Sequence, residues 1–145
     1  MCIDKRNSEG YPDPTAYEAL SLIEKEERAL RAFRPIVYIC SPYAGDIEKN
    51  VTAARDYCRF AVDKGFIPVA PHLLFPQFMD DTDPQERELG LFFGNALMSK
   101  CSEVWVFGSV ISPGIQAEIK RARWKNYRLR YFTEDLEEVQ DVCNH

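Results

Sequence analysis

The alternation of short apolar runs with longer amphipathic stretches predicts an α/β fold with a mostly parallel sheet. Four runs have the composition of buried strands: IVYIC (36–40), FIPVAP (66–71), EVWVFG (103–108) and LRYF (129–132). Amphipathic stretches of helical length separate most of these runs. Because strand and helix follow one another in turn, we expect right-handed βαβ units with helices on both faces of the sheet.

Residues typical of helix starts and ends give the bounds of the predicted helices. Gly65 ends a helix that follows the SPYAGD turn, since glycine readily adopts the left-handed conformation after a last turn. Asp83 is placed as the N-cap of a helix from Pro84 to about Lys100. Further helices are expected from about Pro113 to Asn126 and over TEDLEEVQDV (133–142), the latter capped by Thr133. Residues 72–83 are expected to be irregular.

The chain is predicted to divide after residue 34. Residues 1–13 are polar and read as a loose arm. From Pro14 to about Phe33, apolar residues recur at helical intervals, with Asp13 placed as N-cap. We therefore expect an N-terminal arm and amphipathic helix over 1–34, packed on the domain or on a partner subunit, and an α/β domain over 35–145.

Composition excludes several functional classes. The 145 residues suit one domain, and a net charge of −5 provides no basic field for a nucleic acid polymer. No apolar run approaches the roughly 18 residues of a membrane span, and the N-terminus lacks an apolar signal core. The sequence therefore predicts a cytoplasmic protein with neither a nucleic acid polymer nor a membrane as partner, and it leaves a small charged substrate open, because a local pocket can oppose the net charge.

The five cysteines are scattered and include no C-x-x-C pair. We interpret them as reduced thiols, with Cys40, Cys58 and Cys101 in apolar packing positions. No cluster of histidine, cysteine and acidic residues has metal-ligand spacing, so neither a metal nor a cofactor is predicted.

Three segments follow the predicted strands, where ligands bind in open α/β sheets: SPYAGD (41–46), APHLLFPQF (70–78) and FGSVISPG (107–114). The first suits an anion or sugar at a helix N-terminus, or equally a tight turn capped by Asp46. The second is followed by Asp80 and Asp81 and contains His72, although a lone histidine is more often structural. The third is the most specific, because Ser112, Gly114 and Glu118 form S-x-G-x-x-x-E. Spacing alone leaves Glu118 equally a nucleophile or a surface carboxylate near a helix N-terminus.

The segments IVYICSPYAGD, PVAPHLLFPQF and CSEVWVFGSVISPGIQAEI together resemble the superfamily of nucleoside 2-deoxyribosyltransferases. The resemblance covers residues 35 to about 132 and implies a flavodoxin-like, Rossmann-like three-layer sandwich with four or five strands. It implies cleavage or exchange of the N-glycosidic bond of a (deoxy)nucleoside or nucleoside 5′-monophosphate. Glu118 matches the family's nucleophile, Tyr38 the tyrosine that contacts it, and Ser112 the serine of the monophosphate-hydrolysing branch.

Two positions depart from that pattern. Ala44 stands where the monophosphate branch has an arginine, which weakens phosphate recognition. Asn95 stands near the position of a catalytic aspartate, and an amide cannot shuttle a proton at neutral pH. If an acid is needed, His72 or Asp80 would have to replace it.

Three hypotheses follow. The favoured one is an N-glycosidase or deoxyribosyltransferase that forms a covalent glycosyl-Glu118 intermediate, while the alternatives are a nucleotide-binding module without turnover and an interaction protein with a vestigial pocket. The resemblance also implies a homodimer or larger homo-oligomer. The candidate site residues are, for catalysis, Glu118, Tyr38 and Asn95 and, for substrate binding, Ser41, Pro42, Tyr43, Gly45, Asp46, His72, Asp80, Ser112 and Gly114.

Overall fold

The computed structural model describes residues 14–30 and 33–140, which belong to two units that divide between Phe33 and Arg34. The first unit contains one helix, α1 (Pro14–Leu30), at the place where the apolar periodicity predicts it. The proposed cap of this helix, Asp13, lies outside the described residues. Within the described ranges, no helix is long and apolar enough to cross a lipid bilayer.

The second unit is a three-layer α/β sandwich. Its strands are β1 (Ile36–Cys40), β2 (Ile67–Val69), β3 (Glu103–Phe107), β4 (Arg128–Phe132) and β5 (Glu138–Val139). They form one sheet in the order β2-β1-β3-β4-β5, parallel except for the antiparallel pair β4 and β5. This is the flavodoxin-like order, which confirms the predicted fold class.

The helices of this unit are α2 (Ile47–Asp63), the short α3 (Pro71–Leu74), α4 (Pro84–Met98) and α5 (Pro113–Trp124). Asp46, Asp83 and Ser112 cap α2, α4 and α5 by accepting backbone N–H groups. Gly65 has φ of +89° and follows α2 as predicted. Pro71, expected to end the second strand, instead begins α3, and residues 72–77, expected to be irregular, complete that helix and form a 3₁₀ turn at Phe75–Gln77.

Strand β1 shows how the chain builds its two cores. Val37 and Ile39 face a cluster that includes Tyr57 and Ala61 of α2, whereas Tyr38 and Cys40 face a cluster with Met98 of α4 and buried residues of α5. The alternation follows from the two-residue period of a strand. Among the described cysteines, Cys40 and Cys101 are buried and Cys58 is half-buried, and all three are free thiols.

The prediction of a last helix over 133–142 is wrong for residues 133–140, and positions 141 and 142 lie outside the described residues. Residues 133–137 form a turn, and β5 follows it as an edge strand on β4. The Thr133 hydroxyl, expected to cap a helix, accepts the N–H groups of Asp135 and Glu137 within the turn. Arg130 then makes two hydrogen bonds with the Glu138 carboxylate, at 2.9 and 2.8 Å. Pairing with β4 thus overrides the helical propensity of the acidic segment.

Candidate functional site

A cavity of about 370 Å³ lies beyond the carboxyl ends of β1 and β2 and beside the start of α5. Its wall includes Ser41 after β1, His72 after β2 and Ser112 at the cap of α5. Its volume falls in the range of small-molecule sites, about 300–1,000 Å³. Since β1 and β3 lie side by side and their connections leave in opposite directions, this is the switch point at which flavodoxin-like sheets bind ligands.

Glu118 is the buried carboxylate of this cavity. It lies one helical turn after Gly114 and Ile115, on the side of α5 that packs toward the sheet. Its side chain is 17% exposed, and its Oε2 atom is buried with no hydrogen-bond partner among the described residues. Glu118 lines the cavity, so its carboxylate is placed to bind a ligand there or to react with it.

The other oxygen of this carboxylate is held by Tyr38. The hydroxyl of Tyr38 donates a hydrogen bond to Glu118 Oε1 at 3.0 Å, between residues 80 positions apart in sequence. Gly94 of α4 makes room for this phenol, since a Cβ at that position would lie 3.3 Å from the hydroxyl oxygen. The strand, the helix before β3 and the helix after it therefore fix one orientation of the carboxylate.

Burial governs the electrostatics of this pair. Desolvation raises the pKa of Glu118, and interactions with His72, Cys40 and Tyr38 act in the opposite direction. Burial and the Glu118 charge raise the pKa of the Tyr38 hydroxyl far above its ordinary value, so it stays a donor. Burial and the same charge also raise the pKa of the Cys40 thiol, which keeps it protonated and unreactive.

His72 lies beside the carboxylate in the cavity wall. Its Nε2 atom lies 4.0 Å from Glu118 Oε1, and its side chain is 30% exposed. The imidazole stacks on the Tyr43 ring, with centroids 5.6 Å apart and planes 6° from parallel. Asn50 of α2 fixes the Tyr43 loop by donating to the carbonyl oxygens of Tyr43 and Ala44, both at 3.0 Å.

Helix α4 supplies a wall that sequence reasoning largely missed. Besides the predicted Asn95, it contributes Glu86, Arg87, Gly90, Leu91 and Gly94 to the cavity. Counting back from Asn95 in steps of four leads to Leu91 and Arg87, so the helical period contained the signal. The two glycines share one side of the helix and leave space beside Tyr38 and Met79.

The structure distributes the sequence-predicted residues unevenly. The cavity brings together Tyr38, Ser41, Tyr43, His72, Asp80, Asn95, Ser112, Gly114 and Glu118. Three others do not line it: Pro42 lines a separate groove on the α2 side of the sheet, Gly45 has φ of +97° in the turn, and Asp46 caps α2. Those three positions fit the turn interpretation of SPYAGD, and a ligand contact there stays a prediction.

A second, larger groove of about 840 Å³ lies on the α2 side of the sheet. Its wall carries charges of both signs, including Lys49, Asp56, Arg59 and Glu134. None of the described side-chain atoms that are buried without a partner lies in this groove. Two such atoms, Ser41 Oγ and Glu118 Oε2, belong to residues of the smaller cavity, so we take the smaller one as the candidate site.

The fold has a relative among solved structures. A 2-deoxyribosyltransferase from the psychrotolerant bacterium Bacillus psychrosaccharolyticus, characterised as a biocatalyst for nucleoside synthesis, superposes with a TM-score of 0.56. The match covers 74% of this chain and 77% of that one at 14% sequence identity, so it shows a shared fold alone. No curated protein matches this sequence.

A family model covers the same α/β unit. It matches residues 35–132, from the residue before β1 to the end of β4, and therefore includes every lining residue of the cavity. Its description is Domain of unknown function (DUF7768). Because this match spans more than half of the chain, the protein belongs to the DUF7768 family.

Proposed function

We propose that this protein cleaves or transfers at the N-glycosidic bond of a (deoxy)nucleoside or nucleoside 5′-monophosphate, through a covalent glycosyl-Glu118 intermediate. One observation carries the proposal: a cavity-lining carboxylate whose Oε1 accepts the Tyr38 hydroxyl while its buried Oε2 has no partner in the described chain. Nucleophilic attack on an anomeric carbon needs such a positioned and partly desolvated carboxylate. The shared fold with a 2-deoxyribosyltransferase agrees with this chemistry.

The proposed reaction has two steps. Glu118 Oε2 attacks C1′ of the sugar as the C1′–N bond breaks, and the base leaves with the bonding electron pair and takes up a proton. Water, or the nitrogen of a second base, then attacks C1′ and releases the carboxylate. Tyr38 keeps Oε1 in place throughout, and Asn95 offers its amide to the base or the sugar.

The charges of the cavity wall favour a substrate without a 5′-phosphate. Asp80, Asp81 and Glu86 line the cavity together with Glu118, so four of its described lining residues are carboxylates. Arg87 is the arginine among those lining residues. A phosphate monoester adds about −1.5 to −2 charges, which these carboxylates repel. We expect a nucleoside to be cleaved with a higher kcat/KM than its 5′-monophosphate, and Arg87→Gln to slow the monophosphate more than the nucleoside.

The test is base release from a panel of ribo- and deoxynucleosides and their 5′-monophosphates, with and without a second free base. Glu118→Gln removes the nucleophile, and Glu48→Gln, an exposed position on α2, is the matched carboxylate control. Chromatography with mass detection follows free base and exchanged nucleoside, and intact-protein mass after rapid quenching detects the glycosyl ester. Release that persists at full rate in Glu118→Gln, or a panel without turnover, contradicts the proposal.

A binding module is the second candidate, and two residues favour it. Asn95 lines the cavity where an acid would assist the leaving base, and Ala44 offers no charge to a phosphate. This hypothesis expects a nucleoside or nucleotide to raise Tm without base release. Tight binding by wild type and Glu118→Gln alike, with no product from either, would support it over the enzyme.

A further inference from the structure

The proposed reaction needs a proton for the leaving base, and most acids of the cavity cannot supply it. Thr82 donates its hydroxyl and its N–H to Asp80, which lowers the pKa of that carboxyl and keeps it ionised. Glu86 already accepts the N–H of Asp80 at 2.6 Å. Tyr38 donates to Glu118 and, with its raised pKa, gives up its proton reluctantly.

His72 differs from these groups in its capacity to exchange a proton and in its position beside Glu118. Imidazole is the side chain whose ordinary titration lies nearest to neutrality, so it can exchange a proton in both directions. Its Nε2 is 4.0 Å from the carboxylate oxygen that Tyr38 holds, close to where the anomeric carbon and the bonded base must lie. Stacking on Tyr43, whose loop Asn50 fixes, holds the plane of the ring.

We propose that His72 is the general acid that protonates the leaving base, a role that rests on the glycosyl-Glu118 function proposed above. As the C1′–N bond breaks, its electron pair passes to the base, and a ring nitrogen of the base takes the proton from Nε2 of the imidazolium. In the second step a water oxygen bonds to C1′ as the C1′–Oε2 bond of Glu118 breaks. The water proton returns to His72, so the protein regains its starting state.

The groups around His72 come from every element that lines the cavity. Glu118 faces it from α5, Tyr38 from β1, Tyr43 from the first loop, and the other charged members of the wall are Asp80, Asp81, Glu86 and Arg87. Within this set, Glu118 lies at ion-pairing distance from the imidazole, with Oε1 4.0 Å from Nε2. The same wall contributes Asn95, which can hydrogen-bond the base but cannot replace the proton.

A pair of substrates separates this role from a structural one. An N7-methylated purine nucleoside carries a positive base that leaves as a neutral molecule and needs no proton, whereas the unmodified nucleoside needs one. In His72→Gln we expect base release in the first turnover, which reports the first step alone, to fall by about 10²–10⁴-fold for the unmodified substrate, with a change of only a few fold for the methylated one. If the wild type releases only pyrimidines, a 5-nitrouracil nucleoside, whose base leaves as a stabilised anion, replaces the methylated substrate.

The pH profile provides a second readout that needs no variant. With the unmodified substrate, the wild-type rate of base release in the first turnover should fall on the alkaline side, because the proposed acid must carry a proton, and this limb should be absent with the methylated substrate. His72→Gln should lose the limb with the unmodified substrate. Equal slowing of the two substrates in His72→Gln, or an alkaline limb that persists in it, overturns the proposal.

Failure of the underlying function has a different result. If wild type and His72→Gln both fail to release base even from the methylated substrate, the glycosyl-Glu118 function fails and the role of His72 fails with it. If the wild type releases base and Glu118→Gln does not, while His72→Gln matches the wild type on both substrates, only the role of His72 is overturned. Thermal unfolding of each variant shows that the compared proteins are folded.

Discussion

The two faces of the sheet use the same strands for different purposes. On the α2 side, Trp105, Phe107 and Phe132 pack with Tyr57 and Phe60, with ring centroids 4.3–6.4 Å apart. The indole N–H of Trp105 donates to Glu103, so its polar atom is satisfied. This face follows the ordinary rule for a core: apolar area is buried and polar groups are paired.

On the α4 and α5 side, the same rule is broken around the cavity. Tyr38 and Cys40 of β1 lie next to the Glu118 carboxylate, and Ser41 follows with a buried hydroxyl that has no partner among the described residues. Burial without partners costs about 1–3 kcal/mol for each polar group, and more for a charge. The comparison teaches that the aromatic core on the α2 face stabilises the fold. This stabilisation offsets the cost of a reactive, partly desolvated site on the α4 and α5 face.

The largest expected effect is a stability loss on the aromatic face. Phe107 is fully buried between Tyr57 and Phe132, so Phe107→Ala should lower the free energy of unfolding by about 3–5 kcal/mol. Urea denaturation measures the change, and Phe107→Leu serves if the alanine variant does not fold. Phe92→Ala on α4, where the ring is 67% exposed, is the control and should change stability by less than about 0.5 kcal/mol.

On the site face, removing a charge should stabilise the fold. Burial raises the pKa of Glu118 in the folded state, so the folded protein binds this proton more tightly than the unfolded chain does. Ionisation of Glu118 therefore destabilises the fold as pH rises through the folded-state pKa. We expect Glu118→Gln to be more stable than wild type by about 1–3 kcal/mol at alkaline pH.

The same linkage predicts how this difference depends on pH. As pH falls through the folded-state pKa, the wild-type carboxyl takes up a proton and the advantage of Glu118→Gln should shrink. Paired thermal melts of the two proteins from alkaline to acidic pH measure the difference, and Glu48→Gln reports the effect of an exposed carboxylate. A difference that is constant with pH, or that grows in acid, would contradict the assigned burial of the charge.

A methyl group on α4 should disturb the site with little effect on stability. Gly94→Ala gains helix propensity of about 1 kcal/mol, but its Cβ would lie 3.3 Å from the Tyr38 hydroxyl that holds Glu118. We expect base release to fall while Tm changes by only a few degrees. Gly90→Ala is the matched control, since its Cβ meets only the flexible end of Met79 at an ordinary 3.9 Å.

The measurement compares kcat for the two glycine variants under one set of conditions. The loss should be several-fold larger in Gly94→Ala than in Gly90→Ala, because only the first displaces the phenol. Equal losses would mean that the added methyl acts by narrowing the cavity, and that the Tyr38 hydrogen bond does not determine the rate.

Local sequence signals predicted the central strands, because burial on both faces of the sheet requires a continuous apolar run. The runs 36–40 and 103–107 are apolar enough to read as strands buried on both sides, and both are strands in the structure. The helix prediction over 133–142 failed, because acidic residues after a threonine such as Thr133 are typical of a helix start. There the pairing of β5 with β4 and the Arg130–Glu138 hydrogen bonds prevail, and these are contacts that local sequence does not contain.

The candidate site was predictable where it lies on one short segment. The spacing of Ser112, Gly114 and Glu118 follows a single strand-to-helix turn, so sequence alone could propose the carboxylate. The α4 wall was not predicted, since its contribution depends on how that helix packs beside Tyr38. The partner of Glu118 came from a resemblance, because two residues 80 positions apart meet only through the fold.

The smallest expected effect concerns the Ser41 hydroxyl, which is buried without a hydrogen-bond partner among the described residues. Ser41 is 1% exposed, and its Oγ has no hydrogen-bond partner in the described structure. Ser41→Ala therefore removes a buried hydroxyl without breaking a hydrogen bond of the free protein. We expect stability to stay level or to rise by up to about 1 kcal/mol, as denaturant unfolding would show. If a ligand supplies the missing hydrogen bond, the same variant should bind that ligand several-fold more weakly, as titration calorimetry would measure. A clear loss of stability without ligand would mean that the hydroxyl is already paired, and that the polar face leaves fewer groups open to a ligand than the comparison of the two faces indicates.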